Sequence, residues 1–136
     1  MTPLPQKGTA VSSMIMTVDD SPSMRMLLKA ALTDMGYNVL EAEDGVDALE
    51  RLGGACSSGN GPDLLITDIN MPRLDGFGLI EKVREQDRHR NLPILVLTTE
   101  SSDEKKQRAR SAGATGWIVK PFHPDKLAAA IRRVLH

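Results

Sequence analysis

Cysteine is all but missing from this chain of 136 residues: Cys56 stands alone. No intrachain disulfide can form, and neither a thiolate metal site nor a secreted disulfide scaffold can be built from one thiol. The expected compartment is the reducing cytoplasm. Net charge is nearly missing too, since seventeen Lys and Arg stand against eighteen Asp and Glu for a formal charge of −1. That leaves no global field to hold a polyanion, and no nucleic-acid partner is expected. Apolar runs long enough to span a bilayer are absent. The first thirteen residues, MTPLPQKGTAVSS, hold one Lys and no hydrophobic segment of the kind a signal peptide needs. No membrane association is expected, and residues 1–13 read as a disordered extension ahead of one domain over residues 14–136.

What is present is an alternation. Short apolar runs at Met14–Val18, Asn38–Ala42, Leu64–Thr67, Ile94–Thr98 and Gly116–Val119 are each followed by a stretch of helical period. Most of these runs suit strands buried on both faces, as in a parallel sheet covered by helices. The predicted fold class is therefore α/β, a (βα)5 sandwich with five parallel strands. The first helix has Ser21 as N-cap, Pro22 at its first position and Gly36 beyond its end. Met24, Leu27, Leu28, Ala31, Leu32 and Met35 form its core stripe, and Leu127, Ala130, Ile131, Val134 and Leu135 form that of the last helix. Residues 46–52 and 77–83 carry shorter helical patterns, with a Gly/Ser-rich loop predicted over residues 53–62. The fourth helix, opened by a capping box of Ser101 with Glu104, offers only Ala109 and Ala112 to a core. It should be the least firmly packed. Its Lys105, Lys106, Arg108 and Arg110 make it basic, which taken alone describes a solvated helix face.

In an open parallel α/β sheet, ligands gather at the carboxyl ends of the strands. Asp19 and Asp20 follow the first strand, Asp68 follows the third, Thr98 ends the fourth and Lys120 follows the fifth, so these five should crowd one edge. Three carboxylates brought together repel one another unless a cation neutralises them or some of them take up protons, and a hard divalent cation is the expected remedy. Oxygen ligands without nearby His or Cys favour magnesium over zinc, and no EF-hand spacing is present to favour calcium. A carboxylate can attack phosphorus, while a cation, an ammonium and a hydroxyl can hold the phosphoryl oxygens. Asp68, apart from the Asp19–Asp20 pair, is the natural nucleophile. Singly these residues mean little: an Asp at a strand end is usually a turn or cap residue, and a Lys is usually solvated. The constellation is what is specific. His89, His123 and His136 show no metal spacing and read as surface or capping residues.

Val18-Asp19-Asp20-Ser21, the run Asp68-Ile69-Asn70-Met71-Pro72-Arg73-Leu74-Asp75-Gly76, Thr98, and Lys120-Pro121-Phe122 together resemble response-regulator receiver domains. The likeness covers residues 14–136. It implies a doubly wound sheet of strand order 2-1-3-4-5 and a signalling switch that assists its own phosphorylation and dephosphorylation rather than an enzyme. By the same resemblance, Asp68 is the phosphoacceptor, Asp20 and Asp68 bind magnesium directly with the backbone carbonyl of Asn70, and Asp19 acts mainly through water. Thr98 and Lys120 would contact the phosphoryl group, and Lys120–Pro121 would be a cis peptide. The segment from Gly113 to Phe122 looks most like single-domain, chemotaxis-type receivers of the CheY-like group, with Trp117 in the place of an aromatic switch residue partnered by Thr98. The 53–62 loop, longer than is usual, and His123, where a better N-cap often stands, depart from the family pattern.

The resemblance implies a chemotaxis-type histidine kinase as phosphodonor and an output protein such as a flagellar motor switch component. With no output domain expected in the chain, the signal should leave through a surface of the fourth helix, the fifth strand and the fifth helix, where Lys105, Lys106, Arg108, Arg110 and Trp117 could meet an acidic partner peptide. A phosphorelay intermediate or a phosphate sink outside chemotaxis would use the same site. A haloacid-dehalogenase-like phosphohydrolase would call for Asp-x-Asp at the nucleophile, where this chain has Asp68-Ile69-Asn70. A flavin-binding module would call for a phosphate loop where Asp19 and Asp20 stand. An interaction module that has lost phosphorylation fits poorly with the intact set of five.

Overall fold

The most apolar runs become central strands because burial on both faces hides consecutive large side chains, and the intervening helices supply the covering faces. The computed structural model describes residues 13–57 and 61–135. In chain order the elements are β1 (Met14–Val18), α1 (Pro22–Asp34), β2 (Asn38–Ala42), α2 (Gly45–Ser57), β3 (Leu64–Thr67), α3 (Gly76–Arg84), a 3₁₀ turn (Asp87–His89), β4 (Ile94–Thr98), α4 (Asp103–Ala112), β5 (Gly116–Val119) and α5 (Pro124–Val134). The five strands lie parallel in the order β2-β1-β3-β4-β5. The predicted doubly wound (βα)5 architecture and strand order are thus observed.

Alternation along the strands sorts the core into two layers. Met16, Val18, Leu65, Ile94 and Val96 point to one face, where Ala48 and Leu52 of α2, Leu79, Ile80 and Val83 of α3, and Ala109 of α4 meet them. Ile15, Leu64, Ile66, Leu95 and Leu97 point to the other, against Leu28 and Leu32 of α1 and Leu127 and Ile131 of α5. Each of the larger side chains, Val, Leu, Ile or Met, contributes about 1.5–3 kcal/mol relative to its exposed state. The central strands β1, β3 and β4 are almost wholly buried, while the edge strands β2 and β5 are only partly covered.

Register carries the site. Val18 pairs with Thr67, and the backbone ladder runs one step past the strands: Asp68 N donates to Val18 O at 3.0 Å, Asp19 N to Ala42 O at 3.1 Å, and Lys120 N to Thr98 O at 2.7 Å. The residues that follow the strands are therefore fixed nearly as firmly as the strands themselves.

Several expectations need correction. Helix α4 is capped by Ser102, whose hydroxyl accepts from Lys105 N at 3.3 Å, so the helix starts one residue later than a Ser101–Glu104 box requires. Helix α2 runs through Gly53 and Gly54 to Ser57, into the stretch expected to be loop, because the buried Ala48 and Leu52 anchor its face and the two glycines stand in open space. Leu27, placed in the core stripe of α1, is 57% exposed; Leu28 and Leu32 are buried against the sheet, with Met24 and Met35 packed beside them. His89 is buried rather than on the surface. His123 occupies the N-cap of α5 and makes no capping hydrogen bond through its side chain. The expected disorder of residues 1–13 concerns a segment of which only Ser13 is described; its carbonyl accepts from Asn38 N at 2.9 Å. His136 also lies outside the described residues. Among the described residues, no helix is long and apolar enough to cross a membrane.

Candidate functional site at the carboxyl edge of the sheet

Asp19, Asp20 and Asp68 each offer a carboxylate oxygen within 4.8 Å of the other two. The β1–α1 connection delivers the first two, and the turn after β3 delivers the third. Lys120, one residue past β5, reaches into the cluster: its Nζ lies 2.8 Å from Asp19 Oδ2 and 2.9 Å from Asp68 Oδ2. Burial works against the Lys120 charge, but its hydrogen bonds to Asp19 and Asp68, with their charges, outweigh that and hold its pKa above the ordinary lysine value.

Three carboxylates against one ammonium leave an excess of two negative charges. At such separations each carboxylate pair repels by of order 3 kcal/mol at an effective dielectric near 20, before screening by salt. A divalent cation matches both the deficit and the all-oxygen donor set. The donors have room for one. Asp19 Oδ1 accepts from Ser21 N at 2.9 Å and Asp68 Oδ1 from Ile69 N at 2.6 Å, which with Lys120 uses about half of the lone-pair capacity of each carboxylate. Exposed Asp20 has no hydrogen-bond or ion-pair partner among the described residues. Asn70 is exposed on the loop after β3.

The backbone around Asp68 is tightly specified. Gly76 N donates to Ile69 O at 2.8 Å, and a Cβ at Gly76 would collide with Asp68 O and stand 2.8 Å from Ile69 Cα, so only glycine fits at the start of α3. Thr67 Oγ1 donates to Asp68 O at 2.8 Å. Beside β1, Arg25 Nη1 donates to Asp19 O at 2.6 Å and its Nε lies 3.6 Å from Glu41.

Thr98 is fully buried at the end of β4, and its Oγ1 accepts from Glu100 N at a long 3.4 Å. Trp117 is half-buried, with its Nε1 donating to Glu100 O at 3.1 Å. Lys105 Nζ lies 3.4 Å from Glu100 Oε1. Glu100 thus touches the hydroxyl at the site, the indole on β5 and the first turn of α4. Of the basic residues on α4, Arg108 stacks over the Phe77 ring at 4.2 Å, Lys106 lines a small cleft with Trp117, and Arg110 is exposed in the last turn. The Lys120–Pro121 peptide is cis.

Residue-by-residue reading of the sequence missed one prominent pair. Arg73, on the loop between β3 and α3, donates from Nε to Asp44 Oδ2 at 2.8 Å and from Nη2 to Asp44 Oδ1 at 3.0 Å. A hint was available, because Asp44-Gly45 ahead of the 46–52 pattern is an N-cap signal and Asp44 Oδ1 does accept from Asp47 N at 2.8 Å. Nothing local, however, ties residue 44 to residue 73.

With this geometry in view, comparison with known proteins agrees closely. A family model described as the response regulator receiver domain matches residues 15–132. Chemotaxis protein CheY1 of Helicobacter pylori is 41% identical over 122 residues, 89% of this chain and 95% of that protein. The structure of Vibrio cholerae chemotaxis protein CheY4 superposes with a TM-score of 0.85 at 43% identity, over 92% of this chain and all of that one. The receiver domain of a Pseudomonas aeruginosa sensor histidine kinase, solved with a magnesium ion coordinated in its active-site cleft, superposes with a TM-score of 0.80 at 26% identity, over 92% of this chain and 98% of that one.

Proposed function

The chain belongs to the response regulator receiver family, and from that premise we propose that it is a stand-alone, chemotaxis-type response regulator switched by phosphorylation of Asp68. Its likeness is to whole proteins of similar length, since it spans 95% of the Helicobacter pylori chemotaxis protein. The observation that carries the reading is the insertion of Lys120 Nζ between Asp19 and Asp68 inside the three-carboxylate cluster.

In this reading Asp19, Asp20 and Asp68, with the carbonyl of Asn70, would hold a magnesium ion, which would supply positive charge to the phosphoryl oxygens. Asp68 attacks the phosphorus of a phosphohistidine on the kinase; the new O–P bond forms as the P–N bond breaks, and the imidazole leaves with its electron pair and takes up a proton. Asp68 is placed for this by Ile69 N on one oxygen and Lys120 on the other. Lys120 can turn its ammonium to the transferred group, and Thr98 can present its hydroxyl in exchange for a weak 3.4 Å contact. Glu100 then feels the change, because the same residue accepts from Trp117 and pairs with Lys105. The output partner would meet α4 and β5 at Lys105, Lys106, Arg108, Arg110 and Trp117, in the cytoplasm.

Intact-mass spectrometry after treatment with acetyl phosphate and magnesium checks the assignment. Wild type is expected to gain one phosphoryl group, labile to hydroxylamine, and Asp68→Asn none. Equal labelling of both proteins would remove Asp68 from the role.

A further inference from the structure

Arg73 is the one non-glycine residue with a positive φ, +68°, among the described residues. A left-handed conformation costs an L-residue of order 1 kcal/mol or more and persists where surrounding contacts over-determine it. Here the contact is the bidentate pair with Asp44, a buried carboxylate at the tip of the β2–α2 connection. Asp44 is itself fixed, since it caps α2 through Asp47 N, and the Arg73 hydrogen bonds, foremost among several causes, hold its carboxyl below the usual range. The two connections also touch directly: a Cβ at Gly45 would stand 2.5 Å from Leu74 O. Leu74 N donates to Pro72 O at 2.7 Å, so what fixes Arg73 fixes the Pro72–Leu74 turn, which follows Asn70 after Met71 alone.

We infer that the Asp44–Arg73 pair is a positioning clamp that presets the loop bearing Asn70, so that magnesium affinity depends on an ion pair outside the metal's own ligands. This rests on the proposed reading in which the Asn70 carbonyl joins the carboxylates around the ion. The clamp has a signature that electrostatics alone lacks. Removing the Arg73 charge should strengthen cation binding if only the field matters, whereas removing the Asp44 charge should weaken it. A positioning role weakens binding in both cases.

Magnesium titration calorimetry at fixed ionic strength, paired with amide exchange of residues 70–74 in metal-free protein, tests this on Asp44→Asn, Arg73→Ala and the double variant. Asn preserves the helix cap that Asp44 provides, so the first substitution removes chiefly the ion pair. Each single variant is expected to lose about tenfold in magnesium affinity, as residues that orient metal ligands typically do. The double variant should lose no more than either single one, and loop exchange should be faster in all three. Arg73→Ala that binds magnesium as tightly as wild type or more so overturns the clamp, whether or not its loop exchanges faster. If Asp44→Asn does not fold, Arg73→Ala decides alone, since the Arg73 side chain is half exposed. Asp20→Asn serves as the control beneath: if wild type binds no magnesium, or Asp20→Asn binds it unchanged, the metal reading fails and the inference falls with it; if Asp20→Asn weakens binding while Arg73→Ala does not, the inference alone fails.

Discussion

Helices α4 and α5 are of nearly equal length and cover opposite faces of the same sheet, yet different forces hold them. Helix α5 buries Leu127 and Ile131 completely, with Ala130 and Val134 packed beside them. Helix α4 fully buries only Ala109, with Ala112 partly buried beside it; polar contacts supply much of the rest, among them the Lys105–Glu100 pair, Arg108 over Phe77 and Arg84 on Gly113 O at its end. An exposed ion pair contributes about 0–1 kcal/mol and an exposed cation–π contact about 0.5–1 kcal/mol, against about 1.5–3 kcal/mol for each large buried aliphatic side chain. Under the proposed reading, a phosphoryl group that rearranges a charge-assisted hydrogen bond worth about 1.5–3 kcal/mol would outweigh either exposed contact of α4 taken singly. By that measure α4 is the more readily shifted of the two helices.

The comparison breaks most readily at Ile131. Ile131→Ala should lower stability by about 3 kcal/mol, read from urea unfolding, since it leaves a cavity in a fully buried layer. A loss below about 1 kcal/mol would mean that α5 is no better anchored than α4.

A smaller effect sharpens the picture at the far end of α4. There Arg84 donates to Gly113 O at 2.8 Å and to His89 O at 2.7 Å, tying the end of α4 to the 3₁₀ turn. Burial, then the charges of Arg88 and Arg84, press the His89 pKa below its ordinary 6.5. Because the folded value is the lower one, the unfolded chain binds the extra proton first. Stability is fully present above about pH 6.5 and is lost as pH falls from there through the folded pKa. Unfolding free energy should fall between pH 7 and pH 5, and His89→Gln should flatten that slope. An unchanged slope in His89→Gln would assign the acid sensitivity elsewhere.

Much of this was legible in the sequence, for local reasons. The five strands announce themselves as short apolar runs such as Ile94–Thr98, and the carboxyl-edge rule anticipates the cluster of Asp19, Asp20 and Asp68 with Lys120, with Thr98 at the end of β4. Strand order came from the family resemblance, since parallel neighbours are set by long connections rather than local pattern. What escaped depended on tertiary context. The Asp44–Arg73 pair spans 29 positions, α2 carries on through Gly53 and Gly54 although each glycine costs about 1 kcal/mol in a helix, and Leu27 sits at the rim of a stripe whose width periodicity cannot fix. His89 looked like surface because only the fold shows what covers it.

In the proposed switch, an event at Asp68 is read at Trp117 through Thr98 and Glu100. Trp117 is the only tryptophan, so its emission and its quenching by iodide report that position without interference from another indole. Adding beryllofluoride with magnesium, as a phosphoryl mimic, should change the emission or reduce the quenching in wild type, change nothing in Asp68→Asn, and act much more weakly in Thr98→Ala. Wild-type fluorescence and quenching that stay constant while the mimic demonstrably binds would contradict the claim and leave Trp117 as an ordinary packing residue.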